Sequence, residues 1–173
     1  MGTLPTELFG LTSLTRSFIL PYNYRLSGTL PTQVGQLSRL TGAFGVAGSP
    51  LSGTLPPQVG RLSDLSTSFV VQYTRLSGTI PGAVANIQKI GPKFGETGRA
   101  VSVGSFMLDY NRFTGPAPLG LTDMGAAYPI GMNFNQLTWV PPSNLQWDYY
   151  VPLCDELYRT PEDETDWGDG VVL

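Results

Sequence analysis

A six-residue phrase returns at a fixed interval along this chain: Leu26-Ser27-Gly28-Thr29-Leu30-Pro31, then Leu51-Ser52-Gly53-Thr54-Leu55-Pro56, then Leu76-Ser77-Gly78-Thr79-Ile80-Pro81. The interval is 25 residues both times, and a remnant, Gly2-Thr3-Leu4-Pro5, stands 26 residues upstream. A unit this short cannot bury its own apolar face. It must stack on copies of itself, so a period of roughly 20–30 residues specifies a solenoid. The chain has 173 residues, 21 of them Gly and 15 Pro. Such content without a period would read as low complexity. Here the two residues fall on the repeat and punctuate its turns.

Alignment on the phrase gives about five coils. The first complete one reads Leu14, Phe18, Leu20, Asn23, Leu26, then Val34, Leu37 and Leu40. The second reads Phe44, Val46, Ser49, Leu51, Val59, Leu62, Leu65, and the third Phe69, Val71, Thr74, Leu76, Val84, Ile87, Ile90. A fourth gives Val103, Phe106, Leu108, Asn111, Phe113 and Gly115. A fifth gives Ile130, Met132, Asn135 and Leu137, with Trp139 where the glycine stood. The alternation in Phe18-x-Leu20 and Phe44-x-Val46 predicts one short strand per coil with one face buried. Stacked in register, these strands make a parallel sheet. The apolar residues after the proline recur every three, which suits a 3₁₀ or irregular segment closing the far side, with few α-helices. The file Asn23, Ser49, Thr74, Asn111, Asn135 lies where the chain turns inward. There a buried side chain can bond backbone groups that the turn leaves unpaired. Gly28, Gly53, Gly78 and Gly115 are expected to turn tightly, in conformations other residues avoid.

The pattern L-x-x-N/S/T-x-L-S-G-T-L/I-P-x-x-V-G-x-L-x-x-L resembles the plant-type leucine-rich repeat of receptor-like proteins, receptor kinases and polygalacturonase inhibitors. The match runs over residues 2–145 and is strongest over 14–90. The resemblance implies a right-handed coil with a parallel sheet on its concave face, and a protein, peptide or carbohydrate bound there. It also implies an extracellular or cell-surface setting. The chain departs from that pattern in a coil one residue longer than usual and in lacking the paired-cysteine caps of extracellular members. Its one cysteine, Cys154, has no partner for an internal disulfide.

Residues 1–145 therefore read as the solenoid and 146–173 as a C-terminal capping segment with an acidic tail. Gly115 follows Gly78 by 37 residues, and the excess falls in an insertion at 91–100 carrying Lys93, Phe94 and Arg99. It reads either as a basic loop on a binding face or as a tolerated surface insertion. Met1 falls in mid-coil, which leaves Leu4, Leu8, Leu11 and Phe18 as an apolar end facing solvent. That end invites self-association or missing upstream repeats. Near the other end, Trp147, Tyr149, Val151 and Leu153 alternate with Asp148, Tyr150, Pro152 and Cys154 like a closing strand. Charge is segregated: residues 1–146 carry nine Lys/Arg and five Asp/Glu, whereas 147–173 carry one Arg and eight Asp/Glu.

Residues that point away from the core are those a ligand meets. Just past each strand stand Tyr22, Gly48, Tyr73, Tyr110 and Phe134, an aromatic column at the strand spacing of about 4.8 Å. Beside it runs Pro21, Ala47, Gln72, Asp109 and Asn133, and within the strands Ile19, Gly45, Val70, Met107 and Gly131 face outward. A further row is Arg25, Pro50, Arg75, Arg112 and Gln136; guanidinium forks suit carboxylate, sulfate or phosphate, or the acidic tail itself. The ligand-binding candidates are Tyr22, Tyr73, Tyr110, Phe134, Arg75, Arg112, Gln72 and Asp109. The column also reads as a stacking ladder between coils, and the arginine row as a solvated edge. The threonine row Thr3, Thr29, Thr54 and Thr79 suggests a flat-surface or ice contact, or simply turn packing.

Histidine is absent, which removes the usual general base and metal ligand. No phosphate loop or calcium loop is present, so neither cofactor nor metal is expected. No run approaches the ~20 apolar residues of a membrane span, and nucleic acid is not an expected partner. The chain thus reads as a non-enzymatic recognition module, with a structural segment of a longer repeat protein as the alternative.

Overall fold

The structure is a computed structural model that describes residues 2–91, 93–94, 100–102, 104–121 and 130–139. In chain order its strands are β1 (Gly2–Thr3), β2 (Phe18–Ile19), β3 (Leu26–Thr29), β4 (Ala43–Gly45), β5 (Leu51–Thr54), β6 (Ser68–Val70), β7 (Arg75–Thr79), β8 (Lys93–Phe94), β9 (Ala100–Ser102), β10 (Ser105–Met107), β11 (Arg112–Pro116), β12 (Ile130–Gly131) and β13 (Gln136–Trp139). The expected parallel sheet is present in the order β12-β10-β6-β4-β2. Its register matches equivalent residues: Phe18 faces Phe44, Phe44 faces Phe69, Phe69 faces Phe106, and Phe106 faces Ile130.

These phenylalanines form the spine of the core. Ring centroids lie 5.6 Å apart for Phe18–Phe44, 5.6 Å for Phe44–Phe69 and 5.0 Å for Phe69–Phe106, all stacked. Around them the repeated apolar positions Val46, Val71, Leu108, Leu51, Leu76 and Phe113 are buried. Each such side chain contributes about 1.5–3 kcal/mol by leaving water. Across the core, short 3₁₀ segments follow each proline at Thr6–Gly10, Thr32–Gln36, Pro57–Arg61 and Gly82–Asn86, as the period of three predicts.

The Leu-Ser-Gly-Thr phrase does more than turn. It forms a second parallel strand in each coil, giving a six-stranded sheet in the order β1-β3-β5-β7-β11-β13. The register steps by two residues per coil, so that Gly28 pairs with Leu51, Gly53 with Leu76 and Gly78 with Phe113. Only the leucine of the phrase points inward, so no period-two signal announced this strand. The glycines do hold positive φ, 88° at Gly28 and 79° at Gly53. A Cβ on Gly53 would lie 3.0 Å from the Thr29 methyl of the coil before. Each threonine of the exposed row therefore packs its methyl on the next glycine, which accounts for the row by stacking. The serines complete the stack, with Ser52 Oγ donating to Gly28 O at 3.3 Å and Ser77 Oγ to Gly53 O at 3.3 Å.

The N-terminal end is closed more fully than the sequence suggests. Phe9 is fully buried and lies 5.5 Å from Phe18, and Leu4 and Phe18 are buried with it. Leu8 is half-buried, and of the four only Leu11 faces solvent. At the insertion, Lys93–Phe94 pairs antiparallel with Ala100–Ser102, which runs just past its end. Arg99, the side chains of Lys93 and Phe94, and the whole of 140–173 lie outside the described residues.

Candidate functional site

The expected polar file carries the turn that leads from the first sheet to the second. Asn111 Nδ2 lies 2.8 Å from Val71 O and 3.1 Å from Asp109 O, while its Oδ1 accepts from the Leu76 N–H at 3.1 Å and from the Thr74 hydroxyl. Asn135 repeats the arrangement one coil on, accepting from the Phe113 N–H and donating to Leu108 O and Met132 O. Asn23 does not. It is exposed and, among the described residues, its side chain donates to Pro21 O at 3.1 Å. Its coil holds one extra residue, Tyr24, before Leu26. Ser49 is buried, and its hydroxyl has no partner among the described residues.

This turn brings the aromatic column into line. The ladder of the first sheet runs past the strand ends: Tyr22 N donates to Ala47 O, Gly48 N to Gln72 O, Tyr73 N to Asp109 O, and Tyr110 N to Asn133 O, at 2.8–3.1 Å. Tyr73 and Tyr110 stack at 4.2 Å and 12°, and Tyr110 and Phe134 at 4.1 Å and 15°. Gly48 breaks the file, and the Tyr22 ring lies over it. A Cβ on Gly48 would come within 2.5 Å of Tyr22 Cδ1. Tyr24, which the sequence does not single out, stands exposed beside Tyr22 at 6.1 Å.

Every position of the column is left-handed, with φ of 50° at Tyr22, 66° at Gly48, 53° at Tyr73, 53° at Tyr110 and 56° at Phe134. For a bulky residue this backbone is an outlier costing about 1–2 kcal/mol. The glycine among four aromatics is the one sequence signal that hinted at it. Tyr73 is 45% exposed and Phe134 is 65% exposed, so the column keeps open ring surface while absorbing strain. Arg75 and Arg112 are exposed on β7 and β11 at the rim of the same turn.

The remaining two candidates are placed differently. Gln72 and Asp109 are buried and do not present an open polar row. Asp109 Oδ1 accepts from the Asn133 N–H at 2.9 Å, and burial pushes its carboxyl above the usual 3.8 in spite of that bond. Ala47, Val70 and Met107, expected to face solvent, are buried too. They form a cluster separate from the main core. The open part of the site is therefore the aromatic column and the two arginines. Among the described residues no group of His, Cys, Asp and Glu is placed to hold a metal ion, and no helix is long and apolar enough to cross a membrane.

Two stacked parallel sheets, a phenylalanine spine and 3₁₀ segments on the far side define a leucine-rich-repeat solenoid of the plant type. No family model matches the chain, and no curated protein matches it. Solved structures do. The Arabidopsis receptor kinase HAESA, in complex with the peptide hormone IDA and the co-receptor SERK1, is 26% identical with a TM-score of 0.67, over 84% of this chain and 22% of that one. PEPR1–AtPEP1 is 26% identical with a TM-score of 0.62, over 79% of this chain and 17% of that one. A plant ice-binding protein shares the fold at 20% identity and a TM-score of 0.63, over 79% of this chain and 39% of that one. The chain thus spans well under half the length of these three structures.

Proposed function

We propose that this chain is a non-enzymatic recognition module that binds an extended peptide or protein segment along the column Tyr22, Tyr73, Tyr110 and Phe134, with Arg75 and Arg112 taking up an acidic group on the ligand. The observation that carries the reading is the continuous Tyr73–Tyr110–Phe134 stack held open in a left-handed backbone. Glycine would occupy these positions without strain, as it does at position 48, yet aromatics stand in four of five. Strain kept at an exposed site points to use of the side chain. Rigid aromatic rings supply contact area at low entropic cost. Solved structures of peptide-hormone receptor ectodomains with the same fold favour a peptide over a glycan.

The test uses peptides selected on the full chain from a displayed random library, with a panel of oligosaccharides in parallel. Tyr73→Ala with Tyr110→Ala is expected to weaken the selected peptides at least tenfold while the far-UV circular dichroism is unchanged. Undiminished peptide binding, unfolding of the double variant, or binding of oligosaccharides alone overturns the reading.

A second reading has its own observation. Among the described residues, both sheets end in open edges at β1 and β2, beside exposed Leu11 and Ile19. That edge is suited to another coil, from a second copy or a longer repeat array. Mass that rises with concentration in light scattering would favour it, and a constant monomer mass would remove it.

A further inference from the structure

The aromatic column runs across the strands, and that direction restricts what can lie along it. A ligand that follows Tyr22, Tyr73, Tyr110 and Phe134 passes from one coil to the next and crosses each strand, so it joins no sheet edge. A peptide that binds as an added strand needs such an edge, with unpaired N–H and C=O groups. At the column the backbone N–H groups of Tyr22, Gly48, Tyr73 and Tyr110 are all taken up by carbonyls of the neighbouring coil, at 2.8–3.1 Å. What the column presents is ring surface, with the exposed Arg75 and Arg112 at its rim.

Spacing restricts the ligand further. The stacked rings step by 4.2 Å and 4.1 Å, and the strands beneath them by about 4.8 Å. Two coils therefore measure about 8–9.5 Å. An extended strand returns a side chain to the same face every second residue, after about 6.7 Å, and falls out of step with alternate coils. A polyproline II helix returns one every third residue, after about 9.3 Å, which lies within that interval. Its backbone has no internal hydrogen bonds and stays solvated, so it loses nothing where no ladder is offered.

We infer that the ligand class of this column is a proline-rich segment in the polyproline II conformation, with a proline at every third position over alternate coils and acidic residues between them toward Arg75 and Arg112. The inference rests on the recognition reading and narrows it. Tyr22, Tyr73 and Phe134 stand on the first, third and fifth coils, and Tyr110 fills the stack between the last two. Four steps along the column cover about 16–19 Å. Three prolines at that spacing span six residue rises, about 19 Å. Such a segment is ordered before it binds and docks on aromatic surface, so the rings gain apolar contact at little entropic cost.

The test uses three labelled synthetic peptides on the full chain, read by fluorescence polarisation. They are Pro-Ala-Glu-Pro-Ala-Glu-Pro, its rearrangement Ala-Pro-Glu-Pro-Glu-Pro-Ala, and the strand-forming Val-Thr-Glu-Val-Thr-Glu-Val, all of equal charge. The first is expected to bind at least tenfold more tightly than either of the others. Gln in place of Glu in that peptide is expected to weaken it at least threefold. Phe134→Ala, a change at an exposed side chain, is expected to remove at least threefold of the preference with the far-UV circular dichroism unchanged. Equal binding of the first two peptides, tighter binding of the third, no binding of any of them, or indifference to Phe134→Ala or to the loss of the glutamates overturns the inference. In each of these cases column-dependent binding of library-selected peptides leaves the recognition reading standing; failure of every peptide, the selected ones included, removes both.

Discussion

Replacement of Asn111 by alanine should cost far more than its single side chain suggests. The residue is 7% exposed and ties two coils together. Its Oδ1 takes the Leu76 N–H at 3.1 Å and the Thr74 hydroxyl, and its two amide hydrogens serve carbonyls of Val71 at 2.8 Å, Asp109 at 3.1 Å and Leu108 at 3.2 Å. Alanine removes all five bonds, at about 0.5–1.5 kcal/mol each, although Asp109 O keeps the Tyr73 N–H and Leu108 O keeps Asn135 Nδ2. Some of the loss is recovered, because the Thr74 hydroxyl stands 3.4 Å from Leu76 N and 3.2 Å from Val71 O. With the Leu76 N–H partly served and each carbonyl keeping one other donor, the net loss is about 3 kcal/mol. At about 2–4 °C per kcal/mol for a chain of this size, the melting temperature falls by about 6–12 °C. Because coils are stabilised by their neighbours, the loss spreads beyond the fourth coil. The control is Asn23→Ala, which removes one exposed bond to Pro21 O and should stay within about 0.5 kcal/mol. Thermal and urea denaturation of both variants, followed by circular dichroism, make the measurement. Equal shifts for the two, or an Asn111→Ala loss below about 1 kcal/mol, would refute the assignment of the file to backbone satisfaction.

Three further outcomes are expected. Gly53→Ala should lose about 1–2 kcal/mol from its φ of 79°, with an added loss from the Thr29 methyl that Thr29→Ser relieves while the backbone part remains; full rescue would show that strain plays no part. Tyr73→Gly should be more stable than Tyr73→Ala by about 1 kcal/mol in urea titrations, the reverse of the usual order, because both lose the ring and only glycine relieves a φ of 53°. Asp109 keeps its proton to higher pH in the folded chain than in the unfolded one, so its contribution to stability is fully present below pH 3.8 and is lost as pH rises from there through the raised value; Asp109→Asn should flatten that decline in urea midpoints, and a wild-type contribution that grows with pH would contradict the burial.

The inward faces of this protein were legible residue by residue. Every coil had to bury the same positions, so Phe44, Phe69 and Phe106, the 3₁₀ segments after Pro31, Pro56 and Pro81, and the inward Asn111 and Asn135 could be placed from spacing alone. The alignment of Tyr73, Tyr110 and Phe134 followed from the same logic. Asn23 fell outside it because its coil holds a single extra residue, Tyr24.

Spacing brings equivalent residues together; it does not say what backbone they adopt or what lies on them. The second sheet arose because stacking sets one Leu-Ser-Gly-Thr segment beside the next, close enough for a hydrogen-bonded ladder that no alternation of side chains foretold. The left-handed turn under the tyrosines, the closure of the first coil by Phe9, and the burial of Val70, Met107, Gln72 and Asp109 likewise depend on contacts between coils. A repeat encodes its own coil, whereas strain, capping and coverage belong to the stack, and only the assembled stack decides them.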